Sequence, residues 1–495
     1  MPLPLANALH TAAQVRAIDR AAIDRCGIAG IELMRRAAEA AYASLRRRWP
    51  QARRILLLVG SGNNGGDALL LGVLALRDGL AVDALALPGM PHGDAATARA
   101  SFAAAGGTLR EADGPGVLPA ADVVVDGLFG TGLARPLEGV AAVLVQRLRD
   151  ARSPTLALDL PSGLDADSGV AHAVAVRADA TVCFVAWKRG LFTADAADAC
   201  GARELADLGI PPQAREGIEP DSILLDPSID HWLPPRQSNS NKGRYGHVLV
   251  AGGDLGMGGA PRLAGEAALR CGAGLVSVAT RASHVAVLLA GRPELMASAV
   301  ESAEDLAPLL ERASVIAIGP GLGKGEWGQA MLSALLAAGR PCVLDADALN
   351  LIAQAPRRLP GDAILTPHPG EAARLLDSDI GSVQRDRHGA VRELARRWQA
   401  TCVLKGSGTL VADPAGRLAT CPWGNPGMAS AGMGDVLTGV IAALRAQGLD
   451  AWRAACLGVA WHARAGDIAA GASPRGLLAS DLFAPLRELA NGALR

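Results

Sequence analysis

The residues with the clearest chemical potential lie in a glycine-rich string near the C-terminal end of the chain. Residues 425–437 read NPGMASAGMGDVL and end in a GMGD turn directly before an apolar helical stretch. The backbone N–H groups of such a turn, together with the helix dipole, form a site for an anion such as a transferring phosphoryl group. Asp435 is then placed to accept a proton from an attacking hydroxyl. The alternative is an aspartate that only complements the helix dipole.

Two further strings of the second half carry residue types that suit phosphate and base chemistry. TPHPGE sets His368 between two prolines, at a strand end and beside Glu371, so that its backbone is stiff. KGSGT begins at Lys405, directly after a predicted strand, as expected of a loop that binds nucleotide phosphates. Only four of the 48 basic residues are lysines, namely Lys188, Lys242, Lys324 and Lys405. This scarcity favours a functional role for Lys405 over a solvated surface charge.

Three strings of the first half combine glycine with Asn or Asp, and each follows a short apolar strand. They are residues 60–67 (GSGNNGGD), 126–136 (DGLFGTGLARP) and 159–165 (DLPSGLD). Loops at the carboxyl ends of parallel strands converge on one crevice, where oxygen atoms of Asn, Asp and Ser suit a hard cation or a ribose. Each loop alone is better explained as an Asx turn or a helix cap. The three together favour a binding site.

The elements that must position these loops alternate between strand and helix in both halves of the chain. In the first half, a helical segment at 13–43 with a break at Gly27 and Gly30 precedes strands at 55–59, 82–87, 123–125, 155–158 and 181–186, with a helix at 68–77. In the second half, strands at 247–250, 276–279, 315–318, 343–344, 364–365 and 403–404 precede helices at 436–445 and 452–466. The alternation predicts α/β domains, each with a parallel sheet covered by helices on both faces.

Length and composition agree with two such domains in one chain. The 495 residues are 50% hydrophobic and 20% charged, which is typical of globular proteins with sizeable cores. A stretch rich in Pro, Gly, Ser and Asn at 210–244 predicts a domain border. We therefore expect a Rossmann-like doubly wound domain at 1–225 and a second α/β domain at 226–495.

The composition also excludes several functional classes. A net charge of −1 gives no field that would attract nucleic acid or a membrane surface, and five Phe, two Tyr and eight Trp are too few to stack bases. The first residues lack the basic and apolar regions of a signal peptide, and a membrane span is not expected. Eight cysteines without a CxxC pair argue against a disulfide scaffold and a zinc site. We expect a cytoplasmic protein whose partners are small molecules, with no nucleic acid and no membrane.

The strings NNGGD, DGLFGTG and DLPSG, in this order within residues 10–215, resemble the epimerase domain of the NAD(P)H-hydrate repair enzymes. The resemblance implies interconversion of the R and S epimers of hydrated NADH or NADPH, with acid/base work by Asp159 and a K⁺ ion bound by Asn64, Asp126 and Ser162. It implies that the substrate is lined by Asn63, Asn64, Gly65, Gly66, Asp67, Gly130, Thr131, Gly132, Leu133, Ala134, Arg135, Pro136 and Asp159. Residues 34–37 (MRRA) depart from the family, which carries an acidic residue and Asn after the Met. Their helix is expected to lie away from the chemistry.

The strings YGHVLVAGG, GPGLG, TPHPGE, KGSGT and NPGMASAGMGDVL, within residues 230–490, resemble the ADP/ATP-dependent NAD(P)H-hydrate dehydratase domain, which has a ribokinase-like fold. The resemblance implies that the hydrated nicotinamide nucleotide contacts Ala260, Gly323, His368 and Asp435. It implies that the adenine nucleotide is held by Lys405, Gly406, Ser407, Gly408, Thr409 and Gly434. Ala431 stands where the family usually has glycine, so the approach of the backbone to phosphate is expected to differ slightly.

Together the two resemblances imply a bifunctional repair enzyme. Its second domain would phosphorylate the hydroxyl of the S hydrate with ADP or ATP, and the phosphate would leave with a ring proton to restore NAD(P)H, with Mg²⁺ neutralising the phosphates. Its first domain would supply the S form from the R form. The Ala-rich helices lead us to expect a homo-oligomer. The alternatives are a ribokinase-like small-molecule kinase with a non-catalytic N-terminal binding module, which would accumulate a phosphorylated product, and a regulatory nucleotide sensor.

Overall fold

A computed structural model describes residues 4–112, 118–133 and 135–492 of the chain, which divides into two compact units. The first unit ends at Ile223 and the second begins at Leu224. The border expected from the sequence, between residues 225 and 226, lies two residues further along the chain. Within the described residues we find no helix that is long and apolar enough to cross a membrane.

Strands and helices alternate through most of the first unit. Its strands are β1 (Ala8–His10), β2 (Arg54–Val59), β3 (Ala81–Ala86), β4 (Leu109–Glu111), β5 (Val123–Gly127), β6 (Thr155–Leu158), β7 (Ala180–Phe184), β8 (Trp187–Lys188), β9 (Ala202–Ala206) and β10 (Ser222–Leu224), the last of which crosses the border by one residue. Its helices are α1 (Ala12–Asp24), α2 (Gly30–Arg48), α3 (Asn63–Arg77), α4 (Gly93–Ala104), α5 (Gly139–Ala151) and α6 (Ala196–Ala199).

The main sheet of the first unit is parallel throughout and has the strand order β4-β3-β2-β5-β6-β7-β9. The order reverses between β2 and β5, which is the switch point at which doubly wound sheets bind ligands. Ile55, Leu57 and Val59 pack with α1–α4 on one face, and Leu56 and Leu58 pack with α5 on the other. Because both faces are covered, β2 is a continuous apolar run. The predicted doubly wound α/β fold is confirmed.

A small second sheet and two helices form the start of the first unit. Strand β1 pairs in parallel with β8 and antiparallel with β10. Helix α1 then begins after Thr11, whose hydroxyl accepts a hydrogen bond from the backbone N–H of Gln14 while the Gln14 side chain accepts one from Thr11 N. This reciprocal cap fixes the helix start. The chain leaves the helical conformation between α1 and α2, where Gly27 has a φ of +69°, so the predicted break is confirmed.

The NNGGD string folds differently from the sequence prediction. We expected residues 60–67 to form a turn before a helix at 68–77, but α3 begins at Asn63, so the string forms its first turns. The reason is close packing rather than turn geometry. A Cβ on Gly65 would lie 2.0 Å from the backbone oxygen of Gly60, and a Cβ on Gly66 would lie 2.6 Å from Met34 Sδ. Glycine is required here because the helix start lies directly against the preceding strand end.

The second unit repeats the alternation of strand and helix with different lengths. Its strands are β11 (His247–Ala251), β12 (Leu275–Thr280), β13 (Met296–Ala299), β14 (Val315–Ile318), β15 (Cys342–Leu344), β16 (Ile364–Leu365), β17 (Thr401–Leu404), β18 (Leu410–Ala412) and β19 (Leu418–Thr420). Its helices are α7 (Gly259–Arg270), α8 (Ala282–Gly291), α9 (Ala307–Arg312), α10 (Glu326–Ala337), α11 (Ala346–Gln354), α12 (Pro369–Leu376), α13 (Ile380–Arg385), α14 (Arg387–Trp398), α15 (Met433–Ala446), α16 (Ala451–Ala470) and α17 (Phe483–Leu489).

Within this unit the strand order is β13-β12-β11-β14-β15-β16-β17-β18-β19. The seven strands from β11 to β17 are all parallel to one another. Strands β18 and β19 continue the sheet beyond β17 and are antiparallel to their neighbours. The order again reverses at one point, between β11 and β14. The loops after β11, β14, β15, β16 and β17 therefore lie along one edge of the sheet, where ligands of such folds bind.

Close packing of α7 against α15 fixes the start of α15 at that edge. A Cβ on Gly439 would lie 2.0 Å from the backbone oxygen of Ala264, so the two helices approach at a distance that only glycine permits. Helix α15 also contacts β11, β14, β15 and the buried helix α16. Its N-terminus, which carries the GMGD turn, is thereby held at the carboxyl ends of the parallel strands.

Candidate functional site

In the first unit a cavity of about 650 Å³ opens at the switch point of the main sheet. Its walls come from α1, α2, the first turns of α3, and the loops after β5 and β6. The charged residues that line it are Arg16, Asp19, Arg20, Asp67, Asp94, Asp159 and Lys188. Several carboxylates around one buried ammonium group are typical of a site for acid/base chemistry.

Asp159 occupies a strained position in this cavity. It follows β6 with a φ of +66°, a left-handed conformation that costs a residue other than glycine about 1–3 kcal/mol. Its Oδ1 accepts a hydrogen bond from Lys188 Nζ and a long one, 3.4 Å, from Phe184 N. Its Oδ2 accepts one from Thr131 N at 3.3 Å. The carboxylate is thus held in a fixed orientation at the cavity wall.

Lys188 is the residue of this site that the sequence analysis did not assign. It lies in β8, fully buried, and its Nζ donates to Asp159, to Phe184 O at 2.7 Å and to Cys183 Sγ at 3.4 Å. Burial alone would lower the pKa of Lys188, but the charges of Asp159 and Cys183 outweigh it, so the pKa is raised. Its rarity among the basic residues was the only signal in the sequence, because the pairing requires β8 to fold against β1.

Asp67 and Asp19 are the other carboxyl groups inside the cavity. Burial, followed by the nearby charges of Asp159 and Asp19, raises the pKa of Asp67 well above its ordinary value. Burial also raises the pKa of Asp19, against the opposing charge of Lys188. The cavity therefore holds one carboxylate paired with a cation and two carboxyl groups whose pKa is raised by burial.

The three residues that the resemblance assigns to K⁺ lie together beneath the cavity. Ser162 donates to Asp126 from its backbone N at 2.8 Å and from its hydroxyl at 2.7 Å. A Cβ on Gly127, the residue after Asp126, would lie 2.9 Å from the backbone oxygen of Asn64. Burial raises the pKa of Asp126 to about 6, against the hydrogen bonds from Ser162. Among the described residues, neither polar side-chain atom of Asn64 has a hydrogen-bond partner, although both are buried. An orphaned, buried amide whose backbone lies against the residue after Asp126 fits a cation with oxygen ligands.

The residues predicted to line the substrate are only partly found at the cavity. Asn63, Asn64, Asp67, Gly130, Thr131, Gly132, Leu133 and Asp159 line the cavity. Gly65 and Gly66 are buried in packing contacts behind it. Arg135 and Pro136 are exposed, and they lie beyond the residues that line the cavity. Ala134 lies outside the described residues.

The expectation that the helix with the MRRA departure is remote from the site is wrong. Met34 and Ala37 of α2 line the cavity together with Gly30 and Leu33. Helix α2 packs directly on α3, so one face of it meets the ligand space. The two arginines point elsewhere, since Arg36 bonds Glu32 and the backbone oxygen of Leu208, and Arg35 bonds Glu32 and Glu39 on the surface.

In the second unit a buried ion pair lies at the carboxyl ends of β15 and β17. Lys405 Nζ donates to Asp345 Oδ1 at 2.7 Å, and Thr438 Oγ1 of α15 donates to Asp345 Oδ2 at 2.9 Å. Burial raises the pKa of Asp345, but the Lys405 charge and the hydrogen bonds from Lys405, Thr366 and Thr438 outweigh it, so the pKa lies below its ordinary value. Asp345 was not assigned from the sequence, where it is one aspartate of the string DADALN.

Asp435 lies directly above this pair, in the first turn of α15. A Cβ on Gly434 would lie 3.3 Å from Lys405 Nζ and 3.4 Å from Asp345 Oδ2. Burial and the charge of Asp345 raise the pKa of Asp435 to about 7, and Lys405 opposes them. The turn before it is formed by Gly432, which has a φ of +87°. A half-buried carboxyl that titrates near neutrality beside free helix N–H groups is suited to general-base work on a phosphoryl acceptor.

His368 and Glu371 meet the same cluster from the loop after β16. His368 caps α12, with Nδ1 accepting from Gly370 N at 3.0 Å and from Glu371 N at 3.3 Å, and its Nε2 lies 3.3 Å from Glu371 Oε1. Burial, followed by the charges of Lys405 and Arg374, lowers the pKa of His368. Burial raises the pKa of Glu371 to about 7, although Lys405 Nζ lies 3.8 Å from its Oε2. Half of the His368 side chain remains exposed to a ligand.

The remaining predicted residues of the second unit surround the cluster from two sides. Ala260 starts α7, and a Cβ on Gly321 would lie 3.3 Å from its Cβ. Gly323 has a φ of +71° and donates to Asp347 Oδ2 at 2.9 Å. Beyond Lys405, the KGSGT string forms a turn in which Gly406 and Gly408 have positive φ and Thr409 donates to the backbone oxygen of Gly406. The Lys405 side chain leaves this turn and reaches under the GMGD turn.

A larger cavity of the second unit, about 1340 Å³, contains none of these residues among its lining. Its arginines bond groups of the local fold. Arg292 pairs with the buried Glu266, and Arg236 donates to the backbone oxygen of Gly272 and lies over the ring of Tyr245. The cluster around Asp435 is therefore the candidate site of this unit on chemical grounds rather than on cavity size.

Two protein families match the chain, one in each unit. The family described as YjeF-related protein N-terminus matches residues 30–190, and the family described as NAD(P)H-hydrate dehydratase matches residues 248–487. The candidate sites of the two units lie within or at the edges of these ranges.

Curated relatives match the chain from end to end. A bifunctional NAD(P)H-hydrate repair enzyme of Coxiella burnetii is 46% identical over 98% of this chain and 99% of its own length. One of Escherichia coli is 40% identical over 99% of this chain and 95% of its own length. Among solved structures, a ribokinase-like superfamily protein of Enterococcus faecalis is 30% identical, covers 54% of this chain and 95% of its own, and superposes with a TM-score of 0.51. The similarity to the two curated relatives spans both units of the chain.

Proposed function

The chain belongs to the family of bifunctional NAD(P)H-hydrate repair enzymes, and from this premise we propose how its two sites divide the work. The first unit interconverts the R and S epimers of hydrated NADH and NADPH. The second unit converts the S epimer to NAD(P)H by phosphorylating its hydroxyl with ADP or ATP and eliminating phosphate. The observation that carries the proposal is the cluster of Asp435, Asp345 and Lys405 at the N-terminus of α15.

In the second unit, Asp435 takes the proton of the substrate hydroxyl as that oxygen attacks the terminal phosphoryl group. Its pKa near 7 makes the carboxylate available at neutral pH while keeping it basic enough for the transfer. The backbone N–H groups of the GMGD turn stabilise the negative charge that develops on the phosphoryl group. Lys405, held by Asp345, places a positive charge beneath the same turn.

The phosphorylated hydroxyl is then eliminated. Phosphate is a far better leaving group than hydroxide, so phosphorylation makes loss of the ring substituent feasible at neutral pH. His368, exposed on the same side, and the first turn of α7 with Ala260 contact the nicotinamide end. The KGSGT turn, with Gly406, Ser407, Gly408 and Thr409, and Gly434 contact the adenine nucleotide.

Mg²⁺ bound with the nucleotide would neutralise the charge of its phosphates. The donor that fits it best is the Glu371 carboxyl, which is buried, near Asp345, and only partly compensated by Lys405 at 3.8 Å. A cation of this kind is usually held by one or two carboxylates and the substrate phosphates.

K⁺ fits the orphaned amide of Asn64, the Asp126 carboxylate and the Ser162 hydroxyl. When bound, the cation offsets the buried negative charge of Asp126 and fixes the loops after β2, β5 and β6. Those loops carry Gly130 and Asp159, so the cation would orient the residues that hold the substrate. The substrate cavity is of a size that suits a nicotinamide ring with its ribose.

Two further properties belong to the proposal. All eight cysteines, each among the described residues, are free thiols, which agrees with a reducing compartment such as the cytoplasm. We keep the expectation of a homo-oligomer, whose test is the molar mass measured by light scattering.

The test uses a mixture of the R and S hydrates of NADH with Mg²⁺, K⁺ and either ADP or ATP. Recovery of the near-ultraviolet absorbance of reduced nicotinamide is followed for the native protein and for Asp435→Asn. Complete, nucleotide-dependent recovery that is lost in the variant supports both activities. Recovery of the S share alone leaves only the dehydratase. Accumulation of a phosphorylated product without recovery would instead support a small-molecule kinase.

A further inference from the structure

Two kinds of carboxyl group face the cavity of the first unit, and they differ in their surroundings. Asp159 accepts hydrogen bonds from Lys188 Nζ, Thr131 N and Phe184 N. For Asp67 no such donor is found among the hydrogen bonds of the described residues, although it is almost as deeply buried as Asp159. A buried carboxylate without a cation or donor is unfavourable, so the two groups differ in charge inside one cavity.

Lys188 does not itself offer a proton to a ligand. Its side chain is 1% exposed, and its three ammonium protons are directed at Asp159 Oδ1, Phe184 O and Cys183 Sγ. Every acceptor belongs to the protein. The ammonium group therefore acts on the substrate only through Asp159, which it holds as an anion in the left-handed turn after β6.

Asp67 shares the cavity with three further carboxyl groups from other elements. Asp19 comes from α1 and Asp159 from the turn after β6, and Asp94 of α4 lines the same cavity. The cations are Lys188, whose protons are directed elsewhere, and Arg16 and Arg20 of α1. Arg16 donates to the backbone oxygen of Thr131. This arrangement disfavours the charged form of Asp67, in agreement with the raised direction of its pKa.

We propose that acid/base work in the epimerisation is divided between two carboxyl groups, with Asp67 as the proton donor, Asp159 as the proton acceptor and Lys188 as the positioning residue that keeps Asp159 ionised. The inference rests on the proposed epimerase function and assigns roles within that site. Two carboxyl groups whose surroundings hold them in opposite protonation states are the pattern expected of a paired acid and base.

The step that follows is balanced in atoms and charge. Asp67 transfers its proton to the hydroxyl of the hydrated ring, the C–O bond breaks as the lone pair of the ring nitrogen forms a C=N double bond, and water leaves. Water then adds to the opposite face of the same carbon, and Asp159 takes its proton. Return of that proton to Asp67 through solvent restores the site. No oxidant or reductant is consumed.

The experiment measures epimerisation without ADP or ATP, so that the second unit is silent. Pure S hydrate is incubated with the full chain, and the R share is followed by chromatography against an enzyme-free background. The variants are Asp67→Asn, Lys188→Met and Lys188→Arg. Circular dichroism and the thermal midpoint show that the first unit of each variant is folded, and nucleotide-dependent dehydration of the S hydrate shows that the second unit of the same preparation is intact.

We expect Asp67→Asn to lower kcat of epimerisation about 10²–10⁴-fold, because the amide cannot donate the proton that the step requires. Lys188→Met should lower kcat at least about tenfold with little change in KM, and Lys188→Arg should restore part of it. If Lys188 had a purely structural role, Lys188→Met would lower the thermal midpoint and leave kcat per folded enzyme unchanged. That result would overturn the proposal.

The outcomes separate this inference from the proposed function. Epimerisation by the native chain with native kcat in Asp67→Asn or in Lys188→Met overturns the division of roles and leaves the epimerase standing. No epimerisation by the native chain above background overturns both. Loss of kcat in Asp67→Asn and Lys188→Met, partial recovery in Lys188→Arg and undiminished dehydration in all three support the inference.

Discussion

Each unit contains a lysine paired with a buried aspartate at the carboxyl ends of parallel strands, but the two pairs act on different carboxyl groups. In the first unit Lys188 pairs with Asp159, which itself lines the cavity. In the second unit Lys405 pairs with Asp345, which also accepts a hydrogen bond from Thr438, whereas Asp435, the candidate base, has no ion-pair partner among the described residues. A lysine–aspartate pair thus includes one candidate base, Asp159, and shifts the pKa of the other, Asp435, from a neighbouring position.

The difference shows how position relative to a cation decides the function of a carboxyl group. An aspartate in contact with a buried ammonium group stays ionised, whereas one next to an existing ion pair experiences both charges and burial. Asp435 is in the second situation, and its pKa is raised to about 7. Glu371, near the same pair, also has a pKa raised to about 7. A residue that must accept and release a proton at neutral pH benefits from the second arrangement.

Removing the two candidate bases one at a time gives the largest expected effect. Asp435→Asn should lower kcat of dehydration about 10²–10⁴-fold and leave epimerisation intact, and Asp159→Asn should do the reverse, since each amide cannot accept a proton. The measurements are the recovery of NADH absorbance from the S hydrate and the R-to-S ratio without nucleotide. Loss of both activities in either variant would contradict the separation into two sites.

Breaking the ion pair of the second unit should cost stability. Lys405→Met or Asp345→Asn leaves one buried charge without its partner, at a cost of about 3–5 kcal/mol in the free energy of unfolding. The double variant should be more stable than the sum of the single effects predicts. Urea denaturation followed by tryptophan fluorescence measures each value. Additive effects would mean that the pair contributes no mutual stabilisation.

A glycine at the start of α3 tests whether close packing sets the cavity of the first unit. Gly65→Ala places a Cβ against the backbone oxygen of Gly60 and should lower the free energy of unfolding by about 1–3 kcal/mol and reduce epimerisation. Gly62→Ala is the matched control, because a Cβ there meets nothing within 4 Å. Dehydration should be unaffected by either. Equal effects of the two substitutions would argue against a packing role for Gly65.

The pH dependence of dehydration tests the position of Asp435 beside the ion pair. Because the carboxylate is the active form, kcat should rise with pH through about 7 and then level off. Asp345→Asn removes a charge that raises the pKa of Asp435, so the rise should move to lower pH, and Lys405→Met should move it to higher pH. The same raised pKa makes the contribution of Asp435 to stability largest below its ordinary pKa of 3.8, and that contribution is lost as the pH rises through about 7. Shifts of the same sign in both variants would contradict the arrangement.

The smallest expected effect is that of the cation proposed for the first unit. Replacing K⁺ by Na⁺ should reduce epimerisation a few-fold and lower the thermal midpoint of the first unit, since a ligand present at about 100 times its Kd stabilises the folded state by about 2.7 kcal/mol. Asn64→Ala should remove the difference between the two ions. Dehydration serves as the internal control. A K⁺ effect that survives in Asn64→Ala would move the cation to another site.

Much of the fold followed from local pattern. The predicted strands at 155–158, 315–318 and 364–365 coincide with β6, β14 and β16, and the others agree within a few residues. These strands are continuous apolar runs, because both faces of a parallel sheet are buried. Short strands at sheet edges, such as β4, β13 and β19, were not predicted. A strand of only three or four residues is too short to show a clear local pattern in the sequence.

The candidate sites were predictable only in part. The strings with glycine beside Asn or Asp identified Asp159 and Asp435, since such composition marks loops at strand ends. The partners of these residues, Lys188 and Asp345, come from segments far away in the chain, and they have no motif that the analysis used. The departure at MRRA was given little weight because helix α2 was expected to lie away from the chemistry, yet one face of this helix lines the cavity. The face of a helix that lines a cavity is decided by how the helix packs, and not by whether four of its residues match the family pattern.

By itself the sequence determined the alternation of elements, the border between the units, and which residue types stand at the strand ends. These properties depend on local periodicity and on the chemistry of neighbouring residues, which a single chain displays directly. The tertiary structure decided which lysine meets which aspartate and which carboxyl groups stay unpaired. Charge state depends on burial and on distances between segments brought together by the fold, so the roles of Asp67, Asp159 and Asp435 could be distinguished only after the fold had set those distances.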